Sequence, residues 1–518
     1  HAYRQLASGY DPEEGGFSSA PKFPRAAVFV FLFRYWRRSH LDVPLDMALF
    51  TLRKMAAGGI YDHLGGGFHR YSVDGRWHVP HFEKMLYDQA QLAVVYAEAF
   101  QITQDRDFER VARETLGYVL QDLRACEGGF YSAEDADSLP AADSREKREG
   151  AFYVWTPEEV DGTLTPDEAV VFRHAYGVEA AGNVSDASDP HGELRRKNVL
   201  YIQSDLDVIG KLTGKSSRAV ESLLASARAK MKNVRDQRPR PHLDDKVVTC
   251  WNGMMISALA KGYQVFGDQR YLEAAQRAAR FLKMAMFPGR LLRSYREGPG
   301  ATHGFAEDYA FLIQGLLDLY EADFQIEWLK WAGELQLQMN GLFADPKGGY
   351  FSTESEAPDI LFQMKDDHDG AEPSANSVAA SNLVRLARIL ENQELQDSAG
   401  RIIGCFAETL DRMPIALPQM LAAMEALVAE PIQIVIAPGK DTRAAANLLG
   451  VVQRRFLPHK VVLLADAGDG QAWLGRKVEA IRNMKPIGGK PTAYVCRNFA
   501  CDLPLTDPEI LAKRLDGL

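Results

Sequence analysis

Cysteine is scarce in this chain. Five residues in 518, Cys126, Cys250, Cys405, Cys496 and Cys501, are dispersed and form no Cys-x-x-Cys pair. The pattern excludes zinc fingers and a disulfide scaffold, and predicts reduced structural thiols in a cytoplasmic setting. Positive charge is in deficit as well. With 60 basic and 70 acidic residues the formal charge is -10, which disfavours nucleic acid as a partner. No apolar run approaches the roughly 20 residues that cross a bilayer, so no membrane partner is expected. An initiator methionine and a basic-then-apolar leader are both missing. His1 opens the polar stretch HAYRQLASGYDPEE, which predicts a start inside a longer chain. There is no G-x-S-x-G, and Cys250 beside Trp251 reads as buried and inert, so nucleophilic serine or cysteine catalysis is not expected. The GKDT near residue 440 is too short for a phosphate-binding loop, and no cofactor is assigned.

What the chain does have is concentrated between Gly65 and Ala93, in GGGFHRYSVDGRWHVPHFEKMLYDQAQLA. Three glycines end one helix. FHRYS, an Asp74-Gly75 turn and RWHV then read as a hairpin, which Pro80 should terminate. From Glu83 onward Met85, Leu86, Leu92, Ala93, Tyr96, Ala97 and Phe100 recur at helical spacing. A polar hairpin is thereby delivered to the start of a buried helix.

Repeats give the expected fold. Gly-Gly-aromatic blocks occur at residues 15–17, 66–68, 128–130 and 348–350, with the variant Gly150-Ala151-Phe152. Between them long helices come in pairs, the first apolar on nearly all sides and the second on one stripe, as inner and outer helices of a closed ring require. Helix starts align at Asp88, Asn252, Asp308 and Asn376. We expect a mainly α-helical (α/α)6 toroid over residues 1 to 430, with a strand-containing excursion at about 126 to 245 whose Leu139–Glu149 loop is mobile. After Glu430, IQIVIA, DTRAAANLLGVVQRRF, KVVLLA and TAYVC alternate strand and helix, predicting a small α/β lobe at 431 to 518 on the flank of the ring.

GGFSSAPKFP, the 65–93 block, GGFYSAEDADS, EGAFYVWT, DDKVVTCWNGMMI and the EDYA after Phe305 together resemble the spermatogenesis-associated, thioredoxin-domain-containing family. The resemblance spans essentially the whole chain. It implies a ring similar to six-hairpin glycosidases and N-acylglucosamine 2-epimerases, and a thioredoxin-like domain in cis that this sequence does not contain. It implies no settled reaction.

Inner-helix starts should face one funnel mouth. There the chain offers acids, bases and aromatic faces, the side chains of sugar chemistry. A small carbohydrate is therefore the expected partner, handled by an epimerase, isomerase or glycosidase. His81, His368, Glu83 and Asp308 are the candidate catalytic groups, with His81 and His368 as the pair for epimerisation. His69, Arg70, His78, Asp88, Asp135, Asp245, Trp251, Asn252, Glu307, Tyr309, Asp369, Glu372 and Asn376 are the candidate binding groups. The bland alternatives stay open: Asp88, Asn252, Asp308 and Asn376 also suit helix caps, and Trp251 and Tyr309 also suit a core. His78-x-x-His81 has zinc-ligand chemistry, but its spacing crosses Pro80 and lacks helical geometry, so no metal is assigned. A non-catalytic sugar- or protein-binding module is the competing function.

Overall fold

A computed structural model of the chain describes residues 1–354 and 362–518. Six helices, Ala26–Ser39, Leu86–Thr103, Thr249–Phe266, Ala306–Asp323, Ala375–Leu390 and Pro418–Val428, stand side by side, each packed on the next and the last on the first. They are the inner wall of an (α/α)6 toroid. Their burial explains the choice of residue: Thr249–Phe266 hides even Asn252 and Ser257, whereas its outer partner Gln269–Ala285 buries one stripe from Tyr271 to Leu282. Where the third and fourth inner helices cross, a Cβ on Gly253 would lie 2.6 Å from the Phe311 carbonyl carbon, and one on Gly315 would lie 2.5 Å from the Gly253 oxygen. Only glycine permits that backbone approach.

The first five inner helices each turn back into an outer helix through a left-handed residue: His40, Gln104, Gly267, Phe324 and Glu391. One end of the ring is therefore closed by tight turns. The return connections, long and rich in motifs, gather at the other end, at the inner-helix N-termini. The sixth inner helix has no following partner and runs directly into the lobe strand Ile432–Ala437.

Short ribbons edge this open end, including a three-stranded one of Lys84–Met85, Ala133–Glu134 and Leu243–Asp244. The expected hairpin is present with a different partner. Tyr71 pairs with His81 and Ser72 with Pro80, while Asp74 accepts backbone N–H bonds from Arg76, His78 and Val79. Pro80 thus sits in the ladder it was expected to end, because a proline on an edge ribbon needs no inward N–H. The excursion is more helical than expected, carrying Pro157–Thr163, Pro166–Tyr176, Leu206–Thr213 and Ser217–Arg235. Buried Asp62 ties it to the ring, accepting from Lys84 at 2.8 Å and from Arg235 at 2.7 Å. Arg148–Glu149, the end of the loop expected to be mobile, pairs with Asp137–Ser138.

In the lobe, Ile432–Ala437 runs parallel to Lys460–Leu464 and antiparallel to Thr492–Arg497, which pairs with Ala500–Cys501. The lobe covers the tight-turn end of the ring, not its flank. Gln101 donates to the Gln453 carbonyl at 2.6 Å, Gln453 to that of Glu321 at 3.0 Å, and Gln433 to that of Arg388 at 3.2 Å. The last two acceptors lie in final helical turns, whose carbonyls lack intrahelical donors. Asn498 and Phe499, both at positive φ, make a two-residue turn that sets Cys496 opposite Cys501, and the two form a disulfide. That corrects the expectation of reduced thiols for this pair; Cys126, Cys250 and Cys405 are free. Among the described residues no helix is long and apolar enough to cross a membrane.

Candidate active site

Three side-chain amides organise the open end. Gln89 grips Phe68 through both backbone groups, N–H and C=O, at 2.7 Å each. Asn252 grips Phe130 in the same way at 2.8 and 3.0 Å, and Asn376 grips Tyr350 at 2.7 and 2.9 Å. Each amide fixes a Gly-Gly-aromatic turn to an inner helix. Asn252 and Asn376 are thus committed to backbone rather than ligand, and Gln89, one place beyond Asp88, is the third clamp. Asp369 is committed too, accepting from Ser374 N–H at 2.9 Å and Gln419 N–H at 2.8 Å to join the fifth and sixth inner helices. The Tyr309 hydroxyl meets the Leu291 N–H at 3.3 Å, and its ring packs edge-on against Phe343.

Four other candidates lie away from the mouth or on its outer rim. His69 is buried with Nδ1 2.8 Å from the Phe82 carbonyl and its ring edge-on to Tyr153; burial pushes its pKa down to about 3, so it is neutral. His78 packs on Tyr201 of the excursion, with burial lowering its pKa. Asp245 pairs with Arg296 at 2.7 Å. Asp135, half exposed, faces Lys147 at 3.5 Å.

The remaining candidates form two charged sets. In the first, Arg70 donates to Glu83 at 2.9 Å, and His81 lies between Glu149 at 2.6 Å and Glu83 at 3.7 Å, its ring stacked on Tyr71. The hydrogen bonds to Glu149 and then Glu83 outweigh burial and raise the His81 pKa to about 9. His81 is therefore a fixed imidazolium at neutral pH, not the group titrating near neutrality that chain order suggested. Its carboxylate neighbours are Glu83 and Glu149; Asp308 belongs to the second set. There Arg293 bridges Glu307 at 2.7 Å and Asp308 at 3.0 Å. Asp308 is wholly buried and accepts from the backbone N–H groups of Cys250 and Phe305, yet burial still raises its pKa to about 6.

Two carboxyls stand apart from both sets. Glu372 accepts from the Trp251 indole at 2.9 Å; burial, with Glu307 nearby, raises its pKa to about 7. Asp88 is buried in the first turn of the second inner helix, its Oδ2 has no partner, and burial raises its pKa well above the ordinary carboxylate range. Glu372 lies close enough to add to the rise of Asp88. Trp251 also meets Tyr87 edge-on, with ring centroids 5.1 Å apart. Asp88 and the exposed His368 share a cavity of about 340 Å³ with Phe23, Arg25, Arg70 and Ala371. A larger surface cleft, about 600 Å³, lies between outer helices Arg106–Asp122 and Gln269–Ala285 and holds none of these groups.

The structure thus brings Arg70, Asp88 and His368 to one cavity, with Glu83 and Glu372 near Asp88 and with Glu307 and Asp308 near Glu372, while His81 pairs with Glu83 and Trp251 with Glu372. It adds Arg25, Tyr87, Glu149 and Arg293, which sequence reasoning missed. Tyr87 was signalled by its place beside Asp88; Arg293 and Glu149 lie in connections that carry no periodicity.

No family model matches the chain. Spermatogenesis-associated protein 20 of Homo sapiens is 44% identical over 540 residues, covering 99% of this chain and 68% of that protein. An uncharacterized protein of Caenorhabditis elegans is 36% identical over 525 residues, covering 97% and 71%. Among solved structures, cellobiose 2-epimerase from Bacillus thermoamylovorans has the same fold at TM-score 0.50 and 10% identity, over 82% of this chain and 95% of that one.

Proposed function

The chain belongs to the spermatogenesis-associated protein 20 family, and on that premise we propose that it is a carbohydrate-active enzyme whose proton-transfer pair is Asp88 and Glu372. One observation carries the reading: two desolvated carboxyls from different segments of the ring lie near each other, and neither makes an ion pair among the described residues. Burial, with Glu372 adding to it, keeps Asp88 protonated, while Glu372 at about 7 ionises near neutral pH, so Asp88 is the acid and Glu372 the base. The sugar is taken from the cellobiose 2-epimerase, with which this chain shares the fold, and from the aromatic face of Trp251 beside Glu372.

Such a pair serves two reactions. In epimerisation the carboxylate removes the proton from the carbon next to the open-chain carbonyl, and the acid returns a proton to the opposite face. In hydrolysis the acid protonates the glycosidic oxygen while the carboxylate takes a proton from water. His368, which lines the same cavity as Asp88, stays in the proposal as a further proton carrier; His81 is removed from it and serves to hold Glu83 and Glu149. A second reading, a binding module without turnover, is favoured by the mutual neutralisation of Arg70, Glu83, His81 and Glu149 and of Arg293, Glu307 and Asp308.

A thermal-shift screen of mono- and disaccharides tests the sugar itself, since a ligand that binds the folded state raises the melting temperature. At least one sugar should stabilise the wild type, and Trp251→Ala should weaken that shift. Absence of any shift across the panel removes carbohydrate from the account.

A further inference from the structure

The opposite end of the lumen carries charges that the mouth does not use. Below the mouth the lumen passes Ala26, Ala90 and Pro373 and opens into two cavities of about 110 and 160 Å³. Arg34, Glu98, Ser257, Gln314 and Gln419 line both, so the two are continuous. The deeper one is floored by Leu457, Pro458, His459 and Lys460 of the lobe.

Its carboxylates are all matched. Arg34 holds Glu98 through two bonds of 2.9 Å, and Arg385 holds Asp318 at 2.9 Å and Glu321 at 2.8 Å. Lys261 and Lys460 line the same cavity and neither makes an ion pair among the described residues. Burial and the nearby Lys261 push Lys460 down to about 7. His459 beside it is held neutral by burial and by Arg34 and Arg388, so it adds no charge. The carboxylates that reach Lys460, Glu321 and Glu98, are already held by Arg385 and Arg34, so two half-buried amines face one cavity with no ion-pair partner of their own, and an anion between them would complete both.

We propose that this closed end of the lumen is an oxyanion site in which Lys261 and Lys460 bind the phosphate group of a small phosphorylated ligand. Ammonium groups bind phosphate as point charges, and Gln314 and Ser381 supply neutral donors in the same lining. The site stands on the floor of the lumen alone and requires no chemistry at the mouth.

Calorimetric titration of the whole chain with inorganic phosphate, with glucose 6-phosphate, and with sodium chloride at matched ionic strength tests it. Phosphate should give saturable binding that chloride does not. Glucose 6-phosphate should bind at least as tightly if the anion arrives on a sugar, and phosphate alone should bind if it arrives free. Lys261→Met and Lys460→Met should each weaken the binding by about tenfold or more, and Lys460→Arg should retain it. Lys460→Met should melt at or above the wild-type temperature in phosphate-free buffer, since it removes a desolvated amine that has no ion-pair partner. Asp88→Asn, a change at the mouth, should bind phosphate as the wild type does, which separates failure here from failure of the sugar reading. Absence of saturable binding into the millimolar range, or equal binding by the methionine variants, would overturn the proposal.

Discussion

At the scale of single residues, Glu372 should leave a mark on stability that needs no substrate to detect. Its carboxyl keeps its proton up to about 7 in the fold, against 4.5 unperturbed. Between those values the unfolded chain has released a proton that the native one still holds, so this group's contribution to stability falls as pH rises, and is fully lost above 7. At about 1.4 kcal/mol per unit the loss is about 3 kcal/mol. Urea unfolding should show Glu372→Gln gaining on the wild type by roughly that amount between pH 4.5 and 8; a constant difference would mean that Glu372 ionises normally. His81 has the same sign in a higher pH window. Its pKa of about 9 means that its stabilising contribution is complete below 6.5 and is lost as pH rises through 9. The cluster around it was legible as a dense run of ionisable groups, but not its charge state. That is set by Glu149, which is 68 positions away and reaches His81 only because Arg148–Glu149 pairs with Asp137–Ser138.

Among elements, the amide clamps are the recurring joint. Removing the side chain of Asn252 leaves the buried N–H and C=O of Phe130 without partners, and each orphaned group costs about 1–3 kcal/mol. Asn252→Ala and Gln89→Ala should therefore each lower unfolding free energy by about 2–5 kcal/mol, measured by urea denaturation; losses under about 0.5 kcal/mol would show that the clamps carry no load. Aligned helix starts exposed Asn252 and Asn376 in the sequence, yet their role was hidden, because their partners are backbone groups of the preceding turn. Gln89 was missed because the alignment settled on the more conspicuous Asp88. The hairpins themselves were legible from apolar periodicity. Their turns were not, since His40, Gln104, Phe324 and Glu391 adopt left-handed backbone without the glycine that usually announces it.

For the whole molecule, the ring follows from helices that are apolar all round alternating with helices that are apolar on one stripe, and that much was written in the chain. The position of the lobe was not. Composition shows a strand–helix alternation but not which ring surface offers it acceptors, and the lobe went to the end where helix carbonyls needed donors. That placement leaves the inner-helix N-termini as the open mouth, and it puts Asp88 and Glu372 there. There, we propose, the two carboxyls move protons on a sugar. The most direct measurement is NMR of a panel of reducing mono- and disaccharides incubated in heavy water with the wild type, Asp88→Asn and Glu372→Gln. We predict that at least one sugar gains deuterium at the carbon beside its carbonyl, or loses its glycosidic bond, with the wild type, and that each variant slows this by about 100-fold or more while still binding the sugar. Sugars that bind but stay unchanged, or variants that turn them over like the wild type, would contradict the account.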